Sequence, residues 1–177
     1  NYNGNWDKRV DGKILKKFDI VLTNPPFGDA RSWIPADSEK GIAECYELWN
    51  RCKQTKIDMG VIFLENAFRV LKENGRMAIV LSNSIASIDA HSEARKWLCE
   101  NMRIVAIVDL PPNIFAEAGV SPTIIFAYKP PKKELEKLLK SNYQVFSREI
   151  KKVGYEFKTK NKVKYLETQY KINPVTF

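Results

Sequence analysis

Residues 18–28, FDIVLTNPPFG, decide how the rest of the chain is read. Phe18, Ile20, Val21 and Leu22 form a short, nearly continuous apolar run with β-branched members, which predicts a strand buried on both faces of a parallel sheet. Pro25 and Pro26 then end the pairing, because neither can donate to a ladder and the first biases Asn24 away from helix. A polar amide is thus delivered at the carboxyl end of a strand, where open α/β sheets bind their ligands. Phe27 follows at once, too close to the tip to be simply core. The plain structural alternative is a Pro-Pro turn with Asn24 as a local cap. At average residue frequencies, Asn-Pro-Pro followed by Phe or Tyr arises in a chain of this length on the order of once in a thousand cases, which favours a functional reading.

Outward from this stretch, the residues before Phe18 show little periodicity, and Asn3-Gly4 and Asp11-Gly12 mark turns. The segment from Gly28 to about Ile57 is polar, carries Trp33, Tyr46 and Trp49, and has room for one short helix near Ala43–Cys52. A long irregular segment directly after a site motif reads as a substrate-facing loop. From Asp58 the period becomes helical, with Val61, Leu64, Phe68 and Leu71 on one stripe, Asp58 as N-cap, and Asn74-Gly75 supplying a left-handed stop. Arg76–Ser82 reads as a second buried strand, so strand, helix and strand make a parallel crossover that brings Asn83-Ser84 to the same sheet end as Asn24.

A second helix is predicted over Ser92–Met102, with Ala94, Trp97 or Leu98, and Met102 inward, then strands over Arg103–Asp109 and Thr123–Tyr128. The loop between these strands has no helix-length segment, so they should be antiparallel neighbours. Beyond Pro130-Pro131, KKELEKLLKS predicts a short amphipathic helix with Leu135, Leu138 and Leu139 on one side, and Tyr143–Ile150 one more strand. From Lys151 onward Lys alternates with Tyr, Phe and Val, as in a β-ribbon or extended arm.

With 177 residues the chain can form one domain with a proper core. No run of eighteen apolar residues is present, so no membrane span is expected, and the polar amino-terminal stretch lacks a signal-peptide core, which points to the cytoplasm. Three cysteines without a C-x-x-C pair and a single histidine, His91, support neither a disulfide framework nor a metal site. The net charge of +8 is uneven: residues 1–130 carry +1 and residues 131–177 carry +7. A near-neutral body (1–130) with a basic appended helix and arm (131–177) suits a polyanion such as DNA, and a solvated Lys-rich surface is the alternative.

The Asn-Pro-Pro-Phe motif resembles that of the S-adenosylmethionine-dependent amino methyltransferases. With FLENAFRVLKENGRMAIVLS and VDLPPNIFAEAGVSPTIIFAYK, over roughly residues 18–129, it is similar to the DNA adenine methyltransferases of the type I restriction-modification methylation subunit and its fused type II relatives; VGYEF adds to the likeness. The resemblance implies an α/β, Rossmann-like sheet in the order 3-2-1-4-5-7-6 with strand seven antiparallel, of which this chain supplies strands four to seven, a partial sheet 4-5-7-6 ending in an antiparallel hairpin. The family's glycine-rich S-adenosylmethionine loop lies upstream of the motif, and no G-x-G occurs in this chain. The chain therefore reads as the carboxyl-terminal part of a catalytic domain, with most of the cofactor site elsewhere and no methylation expected of it alone.

By the resemblance, Asn24, Pro25, Pro26 and Phe27 are the candidate catalytic residues: Asn24 and Pro25 supply the acceptors for the target amino group, Phe27 stacks on an extruded base, and Phe115 is the candidate for its other face, with a core role for Phe115 as the alternative. The implied activity is site-specific DNA adenine amino methylation in a restriction-modification system. Expected partners are DNA, a specificity domain or subunit and a restriction subunit. Two readings stay open: methylation of a ribosomal RNA guanine or a protein glutamine amide, and a non-enzymatic DNA-binding or assembly role for the basic tail. Finally, strand Phe18–Thr23 would lack its neighbour strand and form an open edge, so self-association there, or cover by residues 1–13 or 151–177, is expected.

Overall fold

The first strand of the sheet, β1 (Phe18–Thr23), is also its edge. In the computed structural model, which describes residues 17–26, 32–52, 55–112, 114–115, 121–160 and 162–168, the chain continues through a two-residue strand β2 (Ser32–Trp33), helices α1 (Lys40–Glu44) and α2 (Glu47–Cys52), and β3 (Ile57–Asp58). Then come α3 (Met59–Val70), β4 (Leu71–Ser82), α4 (Asn83–Ser87), α5 (Ser92–Asn101), β5 (Arg103–Asp109) and β6 (Pro122–Tyr128). The last elements are α6 (Lys132–Leu138), β7 (Phe146–Glu149), and a hairpin of β8 (Tyr155–Lys160) and β9 (Val163–Thr168).

Five strands form the main sheet in the order β1-β4-β6-β5-β7. The β1–β4 and β5–β7 pairs are parallel, and β6 runs antiparallel to both β4 and β5. The order of β1, β4, β6 and β5 is the one the family resemblance implies, their directions are those expected from the sequence pattern, and β7 extends the sheet beyond them. The hairpin β8–β9 forms its own two-stranded sheet and does not pair with β1.

One face of the sheet is the core. Met77, Ile79, Leu81, Ile125 and Ala127 meet Val61, Leu64 and Ala67 of α3 and Ala94, Trp97 and Leu98 of α5. Each fully buried large side chain contributes roughly 1.5–3 kcal/mol. Trp97, 1% exposed, packs edge-on against Phe68 with ring centroids 5.1 Å apart. Lys129 closes the carboxyl end of α3: its Nζ lies 3.8 Å from the centre of the Phe68 ring and donates to the carbonyls of Phe68 and Leu71. Burial lowers its pKa.

The opposite face corrects the reading of β1 as buried on both sides. Leu22, Ala78, Phe126, Ala106 and Phe146 lie side by side in one row across all five strands. Leu22 is 76% exposed and Phe146 62%, and Ile20, one pleat along β1, is 63% exposed. Apolar content predicted burial, but burial also needs a layer to pack on, and at the two ends of this row, on β1 and β7, the apolar side chains stand largely in solvent.

The end of α3 differs as well. Asp58 does cap the helix, accepting a 2.8 Å hydrogen bond from the Gly60 N–H, but the helix stops at Val70 rather than at Asn74-Gly75. β4 starts at once at Leu71, and Phe18 pairs with Leu71 while Ile20 pairs with Arg76, so residues 72–75 bulge out of the ladder. Asn74 takes the left-handed backbone of that bulge, with φ 63°. Gly75 is required there by space, since a Cβ would lie 2.8 Å from the Leu71 side chain and the Lys72 carbonyl. Three smaller expectations also shift. The helix expected near Ala43–Cys52 is two short helices, the strand expected over Tyr143–Ile150 is confined to Phe146–Glu149, and Leu139 points outward at 55% exposure.

Candidate functional site

The carboxyl ends of β1, β4 and β5 and the start of β6 meet at one edge of the sheet. Thr23 pairs with Ile79, so Asn24 emerges just past the last rung of the β1–β4 ladder. Pro25 is buried, whereas Asn24 and Pro26 are exposed. The two prolines stop the ladder, and the buried first ring pins the turn while leaving the Asn24 amide in solvent. Phe27, the fourth residue of the motif, lies outside the described residues.

Along the same rim, β4 ends at Ser82, whose Oγ accepts from the Ser84 N–H and the Ser84 hydroxyl. The Asn83 N–H donates to the Ser121 carbonyl at 2.8 Å, tying α4 to the entry of β6. The buried Thr123 hydroxyl donates to the Asp109 carboxylate at 2.6 Å, which locks the ends of β5 and β6 together. Arg95 donates to the carbonyls of Ile85 and Ile88, both at 2.8 Å, and so holds the turn after α4. His91 ends the short helical turn Asp89–His91 that follows α4.

Phe115 is half-buried in the connection between β5 and β6, beside Ile114. The Tyr155 hydroxyl, at the base of the β8–β9 hairpin, donates to the Ile114 carbonyl at 3.2 Å. Only part of that connection is described.

A second feature at this end was legible only as aromatic residues in a loop. α3 runs from Asp58 toward the amino end of β4, so its first turns stand at the same sheet end as Asn24. There Met59, Ile62 and Phe63 join Trp33, Tyr46 and Asn66 around a cavity of about 310 Å³. Trp33 Nε1 and the Ala36 N–H both donate to Glu39, and Tyr46 donates to Asn66 at 3.1 Å. Burial pushes the Tyr46 phenol up to about 12. Beneath it, the Glu65 carboxylate accepts from the N–H groups of Glu47 and Leu48 and pairs with Arg69, so α3 caps α2 from below.

Parallel strands joined by helices, a reversed β6 between β4 and β5, and an Asn-Pro-Pro turn at a strand's carboxyl end define the Rossmann-like methyltransferase class. A crystal structure from Listeria monocytogenes, described as a class I S-adenosylmethionine-dependent methyltransferase, superposes with a TM-score of 0.59 at 17% identity, over 78% of this chain and 38% of that one. The chain belongs to the N-6 DNA Methylase family, whose model matches residues 4–173. It is 28% identical over 156 residues to a type II restriction enzyme and methyltransferase of Methanocaldococcus jannaschii, covering 87% of this chain and 12% of that protein. To the type I restriction enzyme EcoEI methylase subunit of Escherichia coli it is 28% identical over 126 residues, 70% of this chain and 22% of that subunit. The chain thus spans less than a quarter of the length of these two relatives.

The family and fold imply S-adenosylmethionine as methyl donor. The described residues fit it on one side only. β1 is the edge of the sheet, so the crevice at its carboxyl end has Asn24–Pro26 as one wall and no strand among the described residues as the other. No described helix is long and apolar enough to cross a membrane, and no group of three metal-ligating side chains occurs among the described residues.

Proposed function

We propose that the complete protein methylates the exocyclic amino nitrogen of adenine at specific sites in DNA, as the modification activity of a restriction-modification system, and that this chain carries the half of the site that meets the target base. The observation that carries this reading is the exposed Asn24 beside the buried Pro25 at the carboxyl end of β1, in a member of the N-6 DNA Methylase family.

The adenine amino nitrogen is a poor nucleophile because its lone pair is delocalised into the ring. Two acceptors fixed on its hydrogens, the Asn24 side-chain oxygen and the Pro25 carbonyl, favour a tetrahedral nitrogen with a localised lone pair, which is stabilisation prearranged for the transition state. Duplex stacking hides this nitrogen, so the base is extruded, with Phe27 on one face and Phe115 on the other. Pro26 fixes the turn that sets the two acceptors side by side. The methyl group is supplied by S-adenosylmethionine when bound, on the side of β1 that the described residues leave open. The isolated chain is therefore inactive in this reading.

The partners that follow are DNA, a specificity domain or subunit and a restriction subunit, in the cytoplasm. In the complete enzyme the exposed sheet face and the β1 edge are covered by the part that completes the cofactor site, and in the isolated chain the same edge drives self-association.

The test is Asn24→Ala in the full-length protein. Adenine methylation should be lost while DNA affinity stays nearly unchanged, since one transition-state acceptor is removed and no phosphate contact. Equal loss of binding and turnover would count against the assignment.

A further inference from the structure

We infer that the β8–β9 hairpin is a phosphate-contacting arm for duplex DNA, with Lys160 and Lys162 at its tip as the contacting cations. Residues 151–168 hold six lysines and two glutamates, a local net of +4. The hairpin pairs regularly from Tyr155↔Thr168 to Lys160↔Val163, and its turn is closed by Lys162 in the left-handed conformation, φ 63°. Lys160 and Lys162 are exposed, and Val163, 65% exposed, stands beside them. Lys158, by contrast, is engaged by Glu167 in an ion pair. Two exposed lysines, Lys160 and Lys162, therefore stand together at the tip, while Lys151 and Lys152, also exposed, precede the base.

The base of the hairpin is fixed to the body. Tyr155 stacks edge-on with Phe157 at 5.8 Å and donates to the Ile114 carbonyl, in the connection that follows the carboxyl end of β5. The arm thus springs from the sheet end where Asn24 emerges. A two-stranded ribbon is narrow enough to lie along a major groove, and two lysines at its tip match phosphates, which attract charge without regard to sequence. Residues 1–130 carry a net of only +1 and residues 131–177 a net of +7, so the positive charge of this chain that attracts phosphates lies in the segment that holds the hairpin. This inference deepens the proposed methylation reading by assigning backbone contacts to a region outside the Asn-Pro-Pro turn.

The test is the double variant K160Q/K162Q in the full-length protein, with affinity for duplex DNA measured across a salt series. Each phosphate contact contributes about 0.9 to the slope of log K against log salt, so the slope should fall by about 2 and the affinity near 0.1 M salt by on the order of 50-fold. The control K132Q/K133Q, on exposed lysines of α6, should leave the slope unchanged. An unchanged slope in the tip variant, or an equal fall in the α6 control, overturns the inference, as does a fall seen with single-stranded RNA but not with duplex DNA. The readout is binding alone, so failure of the methylation reading under Asn24→Ala is separable from failure here.

Discussion

The Glu65 carboxylate accepts a 2.8 Å hydrogen bond from the backbone N–H of Leu48, so one helix supplies the cap for the start of another. Glu65 is 1% exposed, its second oxygen accepts from Glu47 at 2.9 Å, and Arg69 of its own helix pairs with it. Removing the carboxylate leaves the Glu47 and Leu48 N–H groups without their acceptor and takes its charge partner from Arg69, which keeps its bond to the Cys45 carbonyl. Glu65→Ala should therefore destabilise the fold by about 3–5 kcal/mol, and Glu65→Gln, which keeps an acceptor, by clearly less. Urea midpoints of the two variants check this; a loss below about 1 kcal/mol for Ala would mean that the pair is dispensable.

Tyr46 gives a pH signature. Its folded pKa of about 12 lies above the unfolded value of 10.0, because burial disfavours the phenolate. Between these values the unfolded chain has released a proton that the folded chain keeps, so the contribution of Tyr46 is complete below pH 10 and is lost as pH rises toward 12. Allowing for partial screening, the loss is about 1–2 kcal/mol. Tyr46→Phe should cost about 1 kcal/mol near neutrality through the lost bond to Asn66 and flatten the alkaline limb. Denaturation series at pH 8 and 11 with identical slopes in both proteins would contradict this.

The proposed function has Phe27 act on the base rather than on stability. In the proposed function, Phe27→Ala should weaken binding of an extruded or single-stranded adenine by about 1–3 kcal/mol, the usual worth of one base–aromatic stack, and Tyr or Trp should restore it. If the alanine variant instead melts early with target affinity intact, Phe27 is a packing residue.

The β1 edge predicts association. Ile20 and Leu22 stand exposed on a strand whose outer hydrogen-bonding side is unpaired among the described residues. Sedimentation of the isolated chain should show concentration-dependent self-association, and Leu22→Lys should reduce it without lowering the melting temperature, since a charge on an edge strand discourages pairing with another chain. Strictly monomeric behaviour of the unmodified chain would remove this prediction.

Much of the fold could be read from local pattern. Asp58 with the stripe Val61, Leu64, Phe68 fixed a helix, and the two apolar runs Arg103–Asp109 and Thr123–Tyr128 with no helix between them fixed an antiparallel pair. What escaped depends on partners far along the chain. Nothing local in Phe18–Thr23 says which of its faces has a layer to pack against. The bulge at 72–75 answers to Lys129, whose carbonyl accepts from the Asn74 N–H and whose own N–H donates to the Gly75 carbonyl. For the candidate site, the Asn-Pro-Pro turn was legible because prolines act on their own backbone. The cavity beside Trp33 was not, since it forms only when α3 brings Met59, Ile62 and Phe63 against the earlier aromatics.

The reversed strand β6 has a consequence for how the protein is made. β4 and β5 emerge from the ribosome first, yet they never touch as partners: the strand that joins them, with Ile125 paired to Ile79 on one side and to Ile107 on the other, is translated after both. Until residues 122–128 appear, β4 and β5 share no ladder and can be held together only through α3 and α5, as by Phe68 against Trp97. β6 is then a keystone set from within rather than a rib added at the rim. Ribosome-bound chains stalled before residue 122 clears the exit tunnel should stay protease-sensitive throughout β5, and protection of β4 and β5 should arrive together, in one step, once Tyr128 is outside.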